Sequence, residues 1–389
     1  MKRSWSTILS KELLKESSSS TMKNTKVIAF YLPQYHPTPN NDIWWGKGFT
    51  EWTNVAKARK LYLGHYQPKI PADLGFYDLR LPEVKEEQAT LARQAGIDAF
   101  CYYHYWFQEG HEELDIPFKQ VVSSGKPDFP FCLCWANESW YSKFWNKDGS
   151  VEKKVLAKQQ YLGQADNEAH FLSLLSAFKD KRYLRIHGRL VFLIYKPLDF
   201  KNFGSFKKQW NDLAIKNGLP GFYFIGQTFT TKTIKEILDA GFDAVNHCFR
   251  LDNYTQYDLS LNRVHAKLTM LIKRIISVPY IIPYKKAIRN CIRPEDYLEH
   301  VFPTMMPNWD HTPRSSSGGT VLHNSTPELF KEHANKVLST LSNKSPENRI
   351  VFLKSWNEWG EGNYMEPDLK FGKGYINALK DAIDNFNAD

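Results

Sequence analysis

Short apolar or aromatic runs recur along the chain, and most are followed by a polar loop and then by a stretch whose apolar residues repeat with helical spacing. The runs occupy 27–31, 99–103, 131–135, 190–195, 222–227, 244–249, 304–307 and 350–356 and read as eight strands. Helical periodicity falls between them at 82–95, 112–124, 166–178, 205–217, 232–240, 326–342 and 373–386. Gly96, Gly125, Gly218 and Gly241 stand where helices commonly end in a left-handed residue. Strands alternating with helices predict a parallel sheet, and a count of eight favours closure into a (β/α)8 TIM-type barrel over an open doubly wound sheet. The turn from Tyr31 to His36 has no Gly-rich phosphate fingerprint, so a nucleotide-binding Rossmann domain loses support. A barrel of this kind gathers its chemistry at the C-terminal ends of its strands.

Two segments stand apart from the alternation. Residues 1–25 are Ser- and Lys-rich and read as a flexible tail, leaving 26–389 as a single catalytic domain. Between the sixth and seventh runs lies an insertion, 254–300, predicted to be helical and basic. The chain carries 51 Lys and Arg against 42 Asp and Glu, a net charge of +9. Eight cations and no acid fall within 263–293: Arg263, Lys267, Lys273, Arg274, Lys285, Lys286, Arg289 and Arg293. Interleaved with Leu, Ile, Val and Tyr, they fit a solvated basic helix pair packed on the main domain, or one that meets an anionic membrane surface or a phosphorylated partner. No recognition motif accompanies them, so nucleic acid is not an expected partner.

The hydrophobic share, 42%, supplies a large core and excludes a disordered or collagenous chain. Cys101, Cys132, Cys134, Cys248 and Cys291 are odd in number and lack a ligand spacing, so reduced core thiols are expected, with no metal and no cofactor. The first residues never reach the apolar stretch of a secretion signal, and no 18-residue apolar run occurs; the expected location is the cytoplasm, at the inner face of the plasma membrane if the basic segment docks there.

Aromatic residues reach 15%, and their placement gives that surplus a meaning. Strand ends and the loops after them contain Tyr35, His36, Trp44, Trp45, Glu51 and Trp52, then Tyr103, His104 and Trp106, then Trp135 and Asn137. Later ends offer Gln227, Asn246, Trp309, Asp310 and Arg314, and the last brings Trp356 and Asn357 with Glu358 and Glu361. Indole and phenol rings stack on the apolar faces of pyranoses while amides, His, Asp and Arg bond hydroxyls, so a mouth built this way reads as a carbohydrate site. Glycosyl transfer through an oxocarbenium-like transition state needs one group to protonate the departing oxygen and another to assist attack, and paired carboxylates supply both. Glu358 and Glu361, three apart in a Gly-containing turn, are the leading pair; Glu51, Glu138, Asp310 and Glu366 compete for a place in it.

The blocks FYLPQYHP, WWGKGFTEWTNV, GHYQP, DLGFYDLR, CLCWANESW, LVFLIYKP and SWNEWGEG resemble the WbsX-type proteins, whose domain is similar to glycoside hydrolase family 99, from about residue 26 to the C-terminus. WbsX-type proteins are generally taken to be glycosyltransferases of bacterial O-antigen and capsule assembly; the hydrolases are retaining endo-acting enzymes on α-mannosides with a (β/α)8 barrel. The resemblance implies that Glu361 is the general acid/base and that Glu358 assists the substrate 2-hydroxyl, which attacks its own anomeric carbon to give an epoxide-like intermediate. Three functions follow as expectations: a transferase of surface-polysaccharide assembly acting on lipid-linked or phosphorylated glycans, an endo-acting hydrolase using the same glutamates on water, and a non-catalytic glycan-binding protein.

Overall fold

In the computed structural model, which describes residues 25–145, 151–248 and 278–388, the eight apolar runs are eight parallel strands. They are β1 (Lys26–Tyr31), β2 (Ala99–Trp106), β3 (Phe131–Trp135), β4 (Arg189–Ile194), β5 (Phe222–Thr228), β6 (Ala244–His247), β7 (Val301–Met305) and β8 (Ile350–Leu353). Each pairs with the next in chain order, and β1 pairs with β8 from Lys26↔Ile350 to Ala29↔Leu353, which closes the barrel. The near-continuous apolar composition of β3, β4 and β8 follows from this closure, because such strands are buried on both faces, by the barrel interior and by the outer helices.

The outer helices are α1 (Pro82–Gln94), α2 (Ile116–Ser124), α3 (Gln164–Phe178), α4 (Phe203–Lys216), α5 (Ile234–Asp239), α6 (Pro327–Ser339) and α7 (Gly374–Ala388), and the connection after β1 adds two short ones, Pro39–Trp45 and Glu51–Ala56. Their sequences specify them locally. In α6 the side chain of Thr326 accepts from the Leu329 N–H, and Phe330, His333, Ala334, Val337 and Leu338 form one buried stripe at helical spacing. Gly96, Gly125, Gly218 and Gly241 all adopt positive φ beyond their helices, as expected.

Three differences from the sequence reading have physical causes. Strand β7 begins three residues earlier than 304, because it runs through Pro303, a residue that lacks a ladder donor and reads as a breaker. The last strand stops at Leu353, and Lys354 to Trp356 already belong to the turn that carries the glutamates. The connection from β3 to α3 contains an antiparallel hairpin, Trp140–Trp145 with Val151–Ala157, that periodicity did not reveal.

The insertion between β6 and β7 is described only from residue 278 onward, and the tail over 1–24 also lies outside the described residues. The described part is not a helix pair. It is a strand, Tyr280–Pro283, parallel to Thr320–His323, followed by a four-residue helix, Tyr284–Ala287, and short 3-10 turns. Ile282, Tyr284, Ala287, Ile288 and Cys291 pack with Met306 and Leu322 in a small core of their own, which fixes this end to the barrel. All five cysteines are buried and unbridged. Among the described residues, no helix is long and apolar enough to cross a membrane.

Candidate active site

The turn after β8 is held by bonds that its own sequence supplies. The Asn357 side chain accepts from the Leu32 N–H at 2.8 Å and donates to the Leu32 carbonyl at 3.0 Å, while the Trp356 N–H donates to Phe30 O. The Tyr35 hydroxyl donates to Asn357 O at 2.6 Å and accepts from the Trp359 N–H at 2.9 Å. Below the turn, buried Glu366 accepts from Trp359 Nε1, Gln88 Nε2 and the Tyr77 hydroxyl, and burial pushes its carboxyl up to about 7. Both glycines of the turn are required. A Cβ on Gly360 would collide with the Glu51 carboxylate and sit 3.1 Å from Arg314 Nε, and Gly362 has φ +65° with the Asp310 backbone N 2.9 Å from where its Cβ would be.

This turn projects Glu358 and Glu361 into one cavity of about 630 Å³ at the C-terminal mouth of the barrel. Trp45, Phe49 and Glu51 from the first loop form one side, and Trp140 and Tyr141 from the hairpin another. Tyr103, Tyr105, Tyr195, Arg314 and Lys354 complete the polar and aromatic floor. The two walls meet where Trp44 packs edge-on against Trp140, with ring centroids 5.9 Å apart.

The two carboxyls meet opposite surroundings. Glu358 accepts from the Ser355 hydroxyl at 2.9 Å and lies 3.8 Å from Lys354 Nζ. Burial pushes it up to about 7, a rise that neighbouring Glu361 reinforces and that Lys354 and Arg314 only partly oppose. For Glu361 burial acts in the same direction, but Arg314, Lys354 and His311 outweigh it and hold the carboxyl below its ordinary value. The geometry agrees: Arg314 Nη1 is 2.5 Å from Glu361 Oε1, and Arg314 Nε is 2.8 Å from Glu51 Oε1. The two environments thus push the carboxyls of one cavity apart, with the proton favoured on Glu358 over Glu361.

Of the sequence-predicted residues, Trp45, Glu51, Tyr103, Glu138, Arg314, Glu358 and Glu361 line this cavity. Others do not. His104 and Trp106 point out of the barrel and stack on His170 of α3, and Trp135 packs there too, edge-on against the same ring. Trp356 and Asn357 are wholly buried beneath the turn, and Tyr35 and Trp52 pack with Trp359 in its support. His36 is likewise wholly buried. Asn137 ties β3 to the β4 end, accepting from Lys196 N and donating to Lys196 O. Gln227 and Asn246 bond to each other across adjacent strands. Trp309 stacks on His311 and receives Lys354 over its ring, one step behind the cavity, and Trp44 buttresses the hairpin.

Asp310 is a scaffold group rather than part of the mouth. Burial would raise its carboxyl, but bonds from His65, Thr312 and Gln67 and the charge of Lys69 hold it at about 2, and its N–H donates to Glu361 O at 2.7 Å. Sequence reading missed Lys354, Asn41 and Lys57, which also line the cavity. Lys354 carried a signal, a lone cation at the end of an apolar strand; Asn41 lies in the short helix Pro39–Trp45 and Lys57 caps the short helix Glu51–Ala56, both too brief to show a periodicity. A second cavity of about 380 Å³ opens on the flank between α2 and α3, lined by Leu114, Phe118, Val122 and Leu174, and holds neither glutamate.

A closed (β/α)8 barrel with an aromatic, carboxylate-bearing cleft at its mouth has the architecture of a carbohydrate-active enzyme. Residues 27–379 match the family described as Glycosyltransferase WbsX, and the chain belongs to it. Protein WxcX from Xanthomonas campestris pv. campestris, itself described as uncharacterized, is 34% identical over 365 residues, 92% of this chain and 49% of the relative. The chain thus spans about half the length of the curated relatives it matches. Among solved structures, the GH99 endo-alpha-mannosidase from Bacteroides thetaiotaomicron is similar over 93% of this chain and 97% of its own, with a TM-score of 0.57 at 14% identity. A glycoside hydrolase-like protein is similar over 94% of this chain and 95% of its own, with a TM-score of 0.54 at 15% identity. At these identities the likeness is one of fold.

Proposed function

We propose that this enzyme transfers a glycosyl group with retention of configuration in the assembly of a bacterial surface polysaccharide, such as O-antigen, capsule or lipopolysaccharide, at the cytoplasmic face of the membrane. The observation that carries the reading is the pair Glu358 and Glu361, projected by one turn into one aromatic cleft with unequal proton affinities. Retaining chemistry through neighbouring-hydroxyl attack needs a carboxylate to draw on the 2-hydroxyl and a carboxylic acid to protonate the leaving oxygen. The resemblance gives the acid to Glu361. As the side chains stand, that carboxyl is the ionised one, because Arg314 sits on it. A substrate hydroxyl or leaving group that draws Arg314 away would relieve Glu361 and let it take up the proton. Glu51, already bonded to the same guanidinium, would keep Arg314 paired during that exchange.

The family favours transfer to an acceptor glycan, lipid-linked or phosphorylated, and the basic segment 263–293 supports contact with an anionic membrane. A second reading, endo-acting hydrolysis, is favoured by the fold shared with a structure titled an endo-alpha-mannosidase. The two separate in one experiment: the protein is incubated with α-mannosyl oligosaccharides, with and without an acceptor glycan. Elongated product that depends on acceptor supports transfer, and free reducing ends alone reject it. The role of Glu361 is tested with an activated aryl glycoside. Glu361→Gln should turn over that substrate while losing oligosaccharides, because a phenolate leaves without a proton, and Glu358→Gln should lose both. The reverse pattern would exchange the roles. Replacing Lys273, Arg274, Lys285 and Lys286 by Gln should weaken binding to anionic liposomes, and unchanged binding would dismiss the membrane role of that segment.

A further inference from the structure

The segment that joins β1 to α1 lines the cleft with part of its length and presents the rest to solvent at the rim. Between residues 42 and 76 it exposes Lys47, Lys57, Arg59 and Lys60 against two carboxylates near its ends, partly exposed Asp42 and exposed Asp73, the latter 3.7 Å from Lys373; Glu51 is buried against Arg314. Beside these cations stand apolar side chains that folding leaves in water: Ile43 is 79% exposed, Leu63 101% and Trp45 48%. Single exposed leucines are ordinary, but this one segment leaves five large apolar side chains exposed, Ile43, Trp45, Leu63, Ile70 and Phe76, and Trp45 lies on the cleft. The surface adjoins the cleft directly, since Trp45 and Lys57 also line it. It also adjoins the basic insertion. The Tyr62 hydroxyl lies 3.1 Å from His323 Nδ1, His323 is the register partner of Pro283, and exposed Lys285 and Lys286 follow within one turn.

We propose that this rim is an interfacial docking surface for an anionic phospholipid bilayer, which seats the mouth of the cleft against the leaflet. Ile, Leu and Trp side chains exposed on the same segment as four cations match the layering of a bilayer, with charge at the headgroups and hydrocarbon beneath. A nucleic acid would engage the cations and leave Ile43 and Leu63 in water. The docked orientation would bring a lipid-linked glycan to Glu358 and Glu361; that consequence rests on the proposed glycosyl transfer, whereas docking itself does not.

The test uses the full chain and vesicles of phosphatidylcholine with and without phosphatidylglycerol, read by co-sedimentation. Binding to the anionic vesicles is expected, with none to the neutral ones. A Lys47→Gln, Arg59→Gln, Lys60→Gln variant should bind on the order of a hundredfold more weakly, at roughly fivefold per cation. Ile43→Ser with Leu63→Ser should weaken binding further at high salt, where the charge contribution is screened. Lys208→Gln with Lys235→Gln, on exposed faces of α4 and α5, should bind as the parent does. Equal binding to both vesicle types, absence of binding, or rim variants that bind like the parent would overturn the proposal. Turnover of a water-soluble glycan by the rim variants should be unchanged, so that failure of docking and failure of the glycosyl-transfer reading give different results.

Discussion

Glu358 and Glu361 are chemically identical and become different only through what surrounds them. Burial keeps the proton on Glu358 up to about pH 7, while Arg314 keeps Glu361 ionised below its ordinary range. The pair therefore holds one proton between these limits, and turnover should follow a bell-shaped pH profile whose alkaline limb lies near 7. Arg314→Gln removes the charge that depresses Glu361, so the acidic limb should move to higher pH; a limb that stays in place would mean that Arg314 does not set that ionisation. Either Glu→Gln change should lower kcat on an unactivated glycan by about 10²–10⁴-fold and leave glycan affinity within a few-fold, measured by calorimetry beside steady-state rates. Loss of affinity in step with rate would show that the carboxylates bind rather than react.

At the scale of elements, the turn after β8 works because other elements hold it. Asn357→Ala strands both the N–H and the carbonyl of Leu32, and unfolding in urea should register a loss of about 2–4 kcal/mol. Gly360→Ala should leave the barrel folded but push Glu51 and Arg314 off the turn, with turnover falling on the order of a hundredfold. Much of the fold was legible, because strands buried on both faces write unbroken apolar runs and outer helices write a stripe. Half of the mouth was not, and β2 shows why. Successive strand residues face opposite sides, so Tyr103 and Tyr105 enter the cavity while His104 and Trp106, equally conspicuous in sequence, face α3. Trp356 misled in another way: a large, partly polar ring suits a sugar platform and the support of a turn equally well, and it is wholly buried here. Lys57 caps a helix of six residues and Asn41 lies in one of seven, both too short to write a periodicity, and only the folded chain defines their placement.

Across the whole molecule, one architecture accommodates both chemistries that the cleft suggests. The barrel gathers its strand ends, the first loop and the β3–α3 hairpin wall the cleft, and the glutamate turn closes one end. What decides between transfer and hydrolysis is the molecule that attacks after the leaving group departs, and the shape of the barrel does not specify it. The claim on which both readings stand is that Glu358 and Glu361 act together on one anomeric carbon with its configuration kept. Proton NMR of the first-formed product from an α-linked oligosaccharide panel, recorded for the parent enzyme and for Glu358→Gln and Glu361→Gln, tests that claim most directly. The α-anomer should appear first with the parent, and either variant should form it on the order of a hundredfold or more slowly. A β-anomer at early times, or undiminished product from both variants, would contradict it.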